Sequence, residues 1–328
     1  DKWGAGKSQF DGFTLPHLLE LRHSRSIEVS NLHLVNSPFW TVHPFACKGV
    51  TIRNVEIVAP EQVVNTDGID PDSCEDVLIE NVVYSGGDDA VAIKSGWDCF
   101  GDERGFNRPT RNVIIRNLTV RTTGIAATIA IGSEMSGGVE NILIEDSRVE
   151  RAGPSGGAFV IKSAASRGGF VRNVTVKGLE VGNVSGPGLV VLHPNGFQSN
   201  PACSEAPAAL PEISGISLIN VRQLEGTSVG EPPVFFGAVD GQAALRALHL
   251  DSIHLRASAQ PEPAPWKNCP ACWGAELSLR SVSFGDSMEP GGWLRDDGGC
   301  SLTLAADQLG AMQGPGALGK LIADRSEL

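Results

Sequence analysis

One short pattern recurs through most of this sequence and limits what the chain can fold into. It consists of a β-branched, aliphatic run, then Asn or a small polar residue, then another apolar residue. Its copies are residues 26–32, 50–55, 77–82, 113–118, 142–146, 174–179, 216–221 and, more loosely, 248–253, and their Asn-type positions lie 23 to 42 residues apart. Apolar residues alternating with period two predict strands, and Asn tolerates the left-handed backbone of a turn.

The interval between the copies favours a solenoid. No helical periodicity of useful length separates the strands, which argues against alternating β and α units. We therefore predict an all-β, right-handed parallel β-helix with about eight recognisable coils. A β-sandwich is the alternative, although its strands need not resemble one another. We expect a parallel β-helix domain over residues 1–257 that lacks its N-terminal cap. Residues 258–328 are expected to be a loop-rich segment that forms a cap or a frayed end.

A second strand can be placed in each coil by aligning residues 68–73, 90–95, 128–133 and 158–163 without gaps. One parity of this alignment is mostly apolar and is predicted to point into the coil, and the other is predicted to face outward. Asp67 and Asp89 share one column, whereas Lys94 and Lys162 share another, two rungs apart. Because neighbouring strands lie about 4.8 Å apart, we expect the two aspartates to be close neighbours.

Asp67, Asp88 and Asp89 thus form a predicted acidic cluster on two adjacent rungs. Crowded carboxyl groups shift one another's pKa, so a protonated one can serve as a general acid. Glycoside hydrolysis needs that division, with one carboxyl protonating the leaving oxygen and another activating water, about 6.5–9.5 Å apart in inverting enzymes. Ordinary turn residues at coil corners and a calcium site are the alternatives.

Two segments of this cluster, N-T-D-G-I-D-P-D-S at residues 65–73 and G-D-D-A-V-A-I-K-S-G at 87–96, resemble the polygalacturonases of glycoside hydrolase family 28. Segments 36–40 with His43, 131–138 and 167–170 support the resemblance, which covers roughly residues 10–195. It implies a right-handed parallel β-helix that hydrolyses α-1,4-galacturonosyl links with inversion, without a cofactor or a metal. By position, Asp88 resembles the general acid, Asp67 and Asp89 resemble the pair that activates water, and Lys162 resembles a lysine that binds substrate carboxylate.

Two positions depart from the family pattern. Ala127 stands where the family's Gly-His-Gly motif has its His, and Val160 stands where its Arg-Ile-Lys motif has its Arg. Both positions are expected to vary in the plant-type branch that this sequence resembles. We add Lys94 as a substrate-binding candidate because it shares a column with Lys162, and His43 as a local substitute for the missing His.

Charge and hydropathy limit the partners. The net charge of −12 argues against nucleic acid as the general partner, and no apolar run is long enough for a membrane span. We expect a secreted monomer that acts on pectic polysaccharide in the cell wall. The rival hypotheses are a non-catalytic carbohydrate-binding β-helix, a hydrolase of another pectic polymer such as rhamnogalacturonan, and a calcium-dependent pectate lyase, which a chelator would inactivate.

Overall fold

Strands make up all the regular secondary structure that the structure describes. This computed structural model describes residues 9–10, 13–97, 108–154, 156–164, 167–193, 210–230, 234–236, 245–255, 276–283 and 301–304. The strands, in chain order, are β1 (Gln9–Phe10), β2 (Phe13–Thr14), β3 (Leu19–Arg22), β4 (Arg25–Val35), β5 (Val42–Phe45), β6 (Lys48–Val58), β7 (Glu75–Ser85), β8 (Val91–Ile93), β9 (Thr110–Thr122), β10 (Ile129–Ile131), β11 (Val139–Glu145), β12 (Arg148–Ala152), β13 (Phe159–Lys162), β14 (Phe170–Lys177), β15 (Glu180–Val184), β16 (Leu189–His193), β17 (Glu212–Gln223), β18 (Val234–Phe236), β19 (Leu245–His254), β20 (Glu276–Ser283) and β21 (Ser301–Leu304). Within these ranges no helix is long and apolar enough to cross a membrane.

A long parallel sheet carries the sequence repeats. Its strands follow the order β4, β6, β7, β9, β11, β14, β17, β19, β20 and β21, with β12 and β15 paired beside them. The eight repeats lie on eight successive strands, from β4 to β19. Strands β20 and β21 continue the same sheet in parallel beyond the last repeat.

Columns of aliphatic side chains stabilise the long sheet from the inside. One column runs through seven rungs, with each member in register with the next and fully buried: Ile52, Ile79, Ile115, Ile144, Val176, Leu218 and Leu250. Burying one such side chain contributes about 1.5–3 kcal/mol. The aliphatic core therefore explains how a chain with only 6% aromatic residues can fold.

The Asn-type position of each repeat adopts the left-handed backbone that the sequence predicts. The φ angles lie between 48° and 69° at Asn31, Asn54, Asn81, Asn117, Asp146, Gly178, Asn220 and Ser252. In six of the eight copies the strand does not end there; β6, for example, stays paired with β7 on both sides of Asn54. The expected turn is a bend within a continuous strand in those copies, whereas β11 ends before Asp146 and β14 ends before Gly178.

A second parallel sheet carries the segments aligned above. It consists of β3 and β5, residues 69–72, then β8, β10, β13, β16 and β18. Ile69 pairs with Val91, Val91 with Ile129, and Ile129 with Phe159, as the ungapped alignment predicts. Because the chain from β4 to β18 returns to each of the two sheets on every coil and the rungs stack in parallel, the fold is a parallel β-helix.

Near the middle of the second sheet, the side chains on both of its faces are buried. The apolar parity is fully buried, as predicted. The parity expected to face outward is buried too, with exposed fractions of 0–1% at Asp70, Ala92, Ala130 and Val160. At Asp70 the reason is Lys94, whose Nζ lies 3.8 Å from Asp70 Oδ1. Polar groups on this face are consequently desolvated, which strengthens their electrostatic interactions.

Candidate active site

The three aspartates of the predicted acidic cluster meet in the structure. One carboxylate oxygen from each of Asp67, Asp88 and Asp89 lies within 4.8 Å of the others. Asp67 directly precedes the second-sheet segment at residues 69–72, whereas Asp88 and Asp89 follow the end of β7. Asp67 and Asp89 are only 3% and 2% exposed, but Asp88 is partly open to solvent. The cluster therefore offers one accessible carboxyl above two buried ones.

Close packing around the end of β7 fixes Asp88 in place. A Cβ atom at Gly87 would lie 2.0 Å from the backbone oxygen of Val63, so only glycine fits this approach. The Tyr84 hydroxyl lies 2.9 Å from the carbonyl oxygens of both Thr66 and Asp88, and this ties the two rungs together.

Backbone donors hold the Asp88 carboxylate. Its Oδ2 accepts the N–H of Asn65 at 2.8 Å, and its Oδ1 accepts the N–H of Asp89 at 2.9 Å. The carboxyl thus has a defined orientation while remaining open to solvent.

Burial and mutual repulsion change the acidity of the other two carboxyls. Desolvation, together with the charges of Asp88 and Asp70, raises the pKa of Asp67 well above its usual range. Desolvation also raises the pKa of Asp89, an effect that Lys162 partly offsets because its Nζ binds Asp89 Oδ2. The cluster can therefore hold a proton at a higher pH than isolated aspartates.

Lys94, the second basic candidate, lies below the surface. Its side chain is 6% exposed, and its Nζ bonds Glu134 Oε2 at 2.9 Å and stands 4.3 Å from the centre of the Trp40 ring. Burial raises the pKa of Glu134, but the charge and hydrogen bond of Lys94, together with the charge of Arg167, outweigh it and lower that pKa to about 2. The pair is consequently ionised together inside the protein.

His43 lies one rung before Asp70. Because Val42 pairs with Ile69, His43 stands opposite Asp70. Its Nδ1 lies 2.9 Å from Glu20 Oε2, and its Nε2 lies 3.9 Å from Asp72 Oδ2. Burial alone lowers the pKa of His43, but the two carboxylates raise it to about 9. His43 thus belongs to a separate polar group beside the acidic cluster.

The two departures from the family pattern are apolar in the structure as well. Ala127 and Val160 are each 1% exposed, and Val160 lies in β13 opposite Ala130. Neither position supplies a polar group to the site.

Sequence reasoning missed two side chains that shape this site. Trp40 lies two rungs before Lys94, Glu134 lies on the rung after it, and both contact Lys94. Trp40 was the easier of the two to find. Val42 pairs with Ile69, and this register places Trp40 opposite Asp67. The contact between Glu134 and Lys94 depends on side-chain reach, which strand alternation does not encode.

Comparisons with known proteins agree with this geometry. The sequence profile described as glycosyl hydrolases family 28 matches residues 1–259. A "Probable polygalacturonase" from Vitis vinifera is 35% identical over 286 residues, which cover 87% of this chain and 54% of that protein. The chain therefore spans about half the length of this relative.

Two solved structures share the fold. An exopolygalacturonase from Thermotoga maritima superimposes with a TM-score of 0.60 at 24% identity, covering 90% of this chain and 55% of that one. A polygalacturonase from Erwinia carotovora gives 0.56 at 21% identity, covering 89% of this chain and 61% of that one. Both superpositions support the parallel β-helix.

Proposed function

This chain belongs to the glycosyl hydrolases family 28, and we propose that it hydrolyses α-1,4-galacturonosyl links in pectin. The observation that carries the proposal is the division among three adjacent carboxyls. Asp88 is open to solvent, whereas Asp67 and Asp89 are buried beneath it. General acid catalysis and water activation need two carboxyl environments of this kind.

In the proposed mechanism Asp88 acts first on the leaving group. It gives its proton to the glycosidic oxygen as the bond from that oxygen to the anomeric carbon breaks. Asp67 and Asp89 hold a water molecule, and the one of them that is ionised accepts its proton while the water oxygen bonds to the anomeric carbon. The small exposed fractions of Asp67 and Asp89, 3% and 2%, suit contact with a water molecule rather than with the sugar ring.

Inversion is proposed on burial rather than on spacing. One oxygen of each carboxyl lies within 4.8 Å of the others, which describes these single atoms and not the separation of the carboxyl groups that distinguishes inverting enzymes. Asp67 and Asp89 are too enclosed for a sugar carbon to reach, but a water molecule between them and the sugar can attack. We therefore expect the first product to have the inverted anomeric configuration, as measured by NMR during early turnover; a retained configuration would contradict this mechanism.

Positive charge at the cluster supports an anionic substrate. Lys162 is 15% exposed at its side chain and reaches the site through Asp89, so we propose that it also contacts a galacturonate carboxylate. Lys94 is enclosed by Glu134, Asp70 and Trp40. Its burial favours a role in balancing the buried aspartates over direct contact with the sugar. The burial of His43 likewise argues against direct contact with the sugar.

The rival functions are less well supported by this geometry. A binding-only protein has no need to enclose two carboxyls at the cost of desolvation. A calcium-dependent lyase needs free carboxylate ligands, but Lys162 already occupies Asp89. A different pectic polymer, such as rhamnogalacturonan, stays the second candidate, since the two departures at Ala127 and Val160 lie beside the cluster.

The decisive experiment measures reducing ends released from polygalacturonate by the wild type and by Asp88→Asn. We expect the variant to lose at least about 100-fold in kcat, because proton transfer contributes 10²–10⁴-fold. The matched control is Asp146→Asn, an exposed position that adopts the same left-handed backbone as its Asn neighbours in the long sheet. Ultraviolet absorption by an unsaturated product would instead identify a lyase.

Two negative results of this assay would overturn different parts of the proposal. A folded wild type that binds oligogalacturonides without releasing reducing ends would overturn hydrolysis in favour of binding. Activity on rhamnogalacturonan alone would overturn the substrate but keep the mechanism.

We also propose the architecture and location that the sequence predicts. Parallel strands joined by crossovers are almost always right-handed, which supports right-handed coils, and the eight repeats support about eight of them. The family profile ends at residue 259, which supports a β-helix domain over 1–257, and the segment over 258–328 adds β20 and β21 to the end of the same long sheet, as a cap would. A pectic substrate supports a secreted monomer acting in the cell wall.

A further inference from the structure

Two histidines and a glutamate converge beside the acidic cluster, at the start of the second sheet. His17 precedes β3, Glu20 lies in β3, and His43 lies opposite Glu20 in β5. The Nδ1 atoms of both histidines contact the same carboxylate oxygen, Glu20 Oε2. One ligand atom from each of the three residues lies within 4.8 Å of the others.

Packing holds both imidazole rings in this arrangement. His43 is 5% exposed, and the edge of its ring meets the His17 ring with centroids 4.6 Å apart. His17 stacks on Phe39 and Trp40 with centroid distances of 5.4 and 5.2 Å. Neither histidine is a freely rotating surface side chain, so the convergence is built into the fold.

A carboxylate and a guanidinium group contact His43 and Glu20 on the sides that face away from the shared oxygen. Asp72 Oδ2 faces the second nitrogen of His43, Nε2, at 3.9 Å. The other Asp72 oxygen accepts the Ser73 hydroxyl and the N–H of Gly96, which fixes the orientation of the carboxylate. Arg22 bonds Glu20 Oε1 and leaves Oε2 to the histidines. A carboxylate behind the second nitrogen is the usual support for a metal-binding histidine.

We propose that His17, Glu20 and His43 bind one divalent transition metal ion, of which Zn²⁺ fits best. Two imidazole nitrogens and one carboxylate oxygen are the ligands of open three-residue zinc sites, in which water takes the fourth position. Imidazole disfavours calcium and magnesium, which prefer oxygen ligands. The ligands are distinct from Asp67, Asp88 and Asp89, so the site supports the fold near the acidic cluster without taking part in the proposed hydrolysis.

The test is a calorimetric titration of tag-free, chelator-treated protein with Zn²⁺, together with the visible spectrum of the Co²⁺ form. We expect one ion per chain and absorption bands of a four-coordinate Co²⁺ site. His17→Phe preserves the aromatic stacking but removes one ligand, and it should weaken Zn²⁺ binding at least about 100-fold. The matched control is His33→Phe, a histidine whose side chain is 60% exposed on the long sheet, and it should bind as the wild type does.

The variant Asp72→Asn tests whether the His17, Glu20 and His43 cluster is a metal site or only a network of ion pairs. It keeps the oxygen that accepts the Gly96 N–H and should weaken Zn²⁺ binding about 10–100-fold while leaving one ion per chain. The proposal is overturned if the wild type binds no Zn²⁺, or if His17→Phe binds it as tightly as the wild type. If His17→Phe does not fold, a wild-type Co²⁺ spectrum like that of the aqueous ion overturns the proposal by itself.

Discussion

Asp70 is enclosed among charged groups at the centre of the second sheet. It is fully buried, and neither of its carboxylate oxygens accepts a hydrogen bond from the described residues. Lys94 Nζ lies 3.8 Å from Asp70 Oδ1, while the buried carboxyls of Asp67 and Asp89 lie on the same side of the fold. Burial raises the pKa of Asp70 to about 7, and the charge of Lys94 only partly opposes this shift. Asp70 therefore links the protonation of the site to the stability of the fold.

Replacing this carboxyl should stabilise the protein at alkaline pH. Since folding raises the pKa of Asp70 from 3.8 to about 7, its protonated form favours the folded state, and that contribution is lost as the pH rises through 7. Asp70→Asn removes the buried charge, so we expect its free energy of unfolding to exceed that of the wild type by about 4 kcal/mol above pH 7. At pH 4 the difference should be close to zero.

Denaturant unfolding at pH 4, 5.5 and 8 measures this effect. Asp146→Asn is the control, since an exposed aspartate should show no comparable trend with pH. A wild type that is as stable as Asp70→Asn at pH 8 would contradict the assignment.

At the scale of the strands, the Asn-type residues join neighbouring coils. The Nδ2 of Asn54 donates to Asn31 Oδ1 at 3.2 Å, that of Asn81 to Asn54 Oδ1 at 3.1 Å, and that of Asn117 to Asn81 Oδ1 at 2.7 Å. Each of these residues also supplies a left-handed bend. Asn is therefore used for two purposes, backbone conformation and a side-chain ladder.

Two substitutions at Asn81 separate these purposes. Asn81→Ala loses the ladder and forces a left-handed backbone on alanine, which costs about 1–2 kcal/mol in addition to the lost hydrogen bonds. Asn81→Gly loses the ladder alone, and Gly178 shows that glycine is accepted in this column. We expect thermal unfolding to rank the wild type above Asn81→Gly, and Asn81→Gly above Asn81→Ala; the reverse order of the two variants would show that backbone conformation is not limiting.

The strands and their register were predictable because alternation and repetition are local. Residues that lie one rung apart resemble one another, so the pairing of Ile69 with Val91 follows from the aligned segments alone. The bends at Asn54 and its equivalents were predicted as turns, since sequence shows the left-handed residue but not that pairing resumes beyond it. Burial of the second face was not predicted because it depends on side chains such as Lys94, which fold over neighbouring rungs.

At the scale of the whole molecule, the acidic cluster follows from the repeat, but its surroundings do not. Asp67 and Asp89 meet because each precedes a second-sheet segment on one of two neighbouring rungs, which strand spacing predicts. Glu134 is 40 residues from Lys94 in sequence, and its role depends on the reach of both side chains across a rung.

The net charge of −12 gives a prediction for the proposed reaction with a polyanion. At low ionic strength the field of the whole molecule repels polygalacturonate, whereas at 0.15 M salt the screening length falls to about 8 Å and only charges near the cluster act. We therefore expect kcat/KM for polygalacturonate to rise about two- to tenfold between 10 and 150 mM salt, because association accelerates. An uncharged, methyl-esterified oligomer that the protein still cleaves should show no such rise. A fall in kcat/KM with added salt would mean that Lys162 and other nearby cations dominate even the long-range field, and that the acidic surface lies away from the path of the substrate.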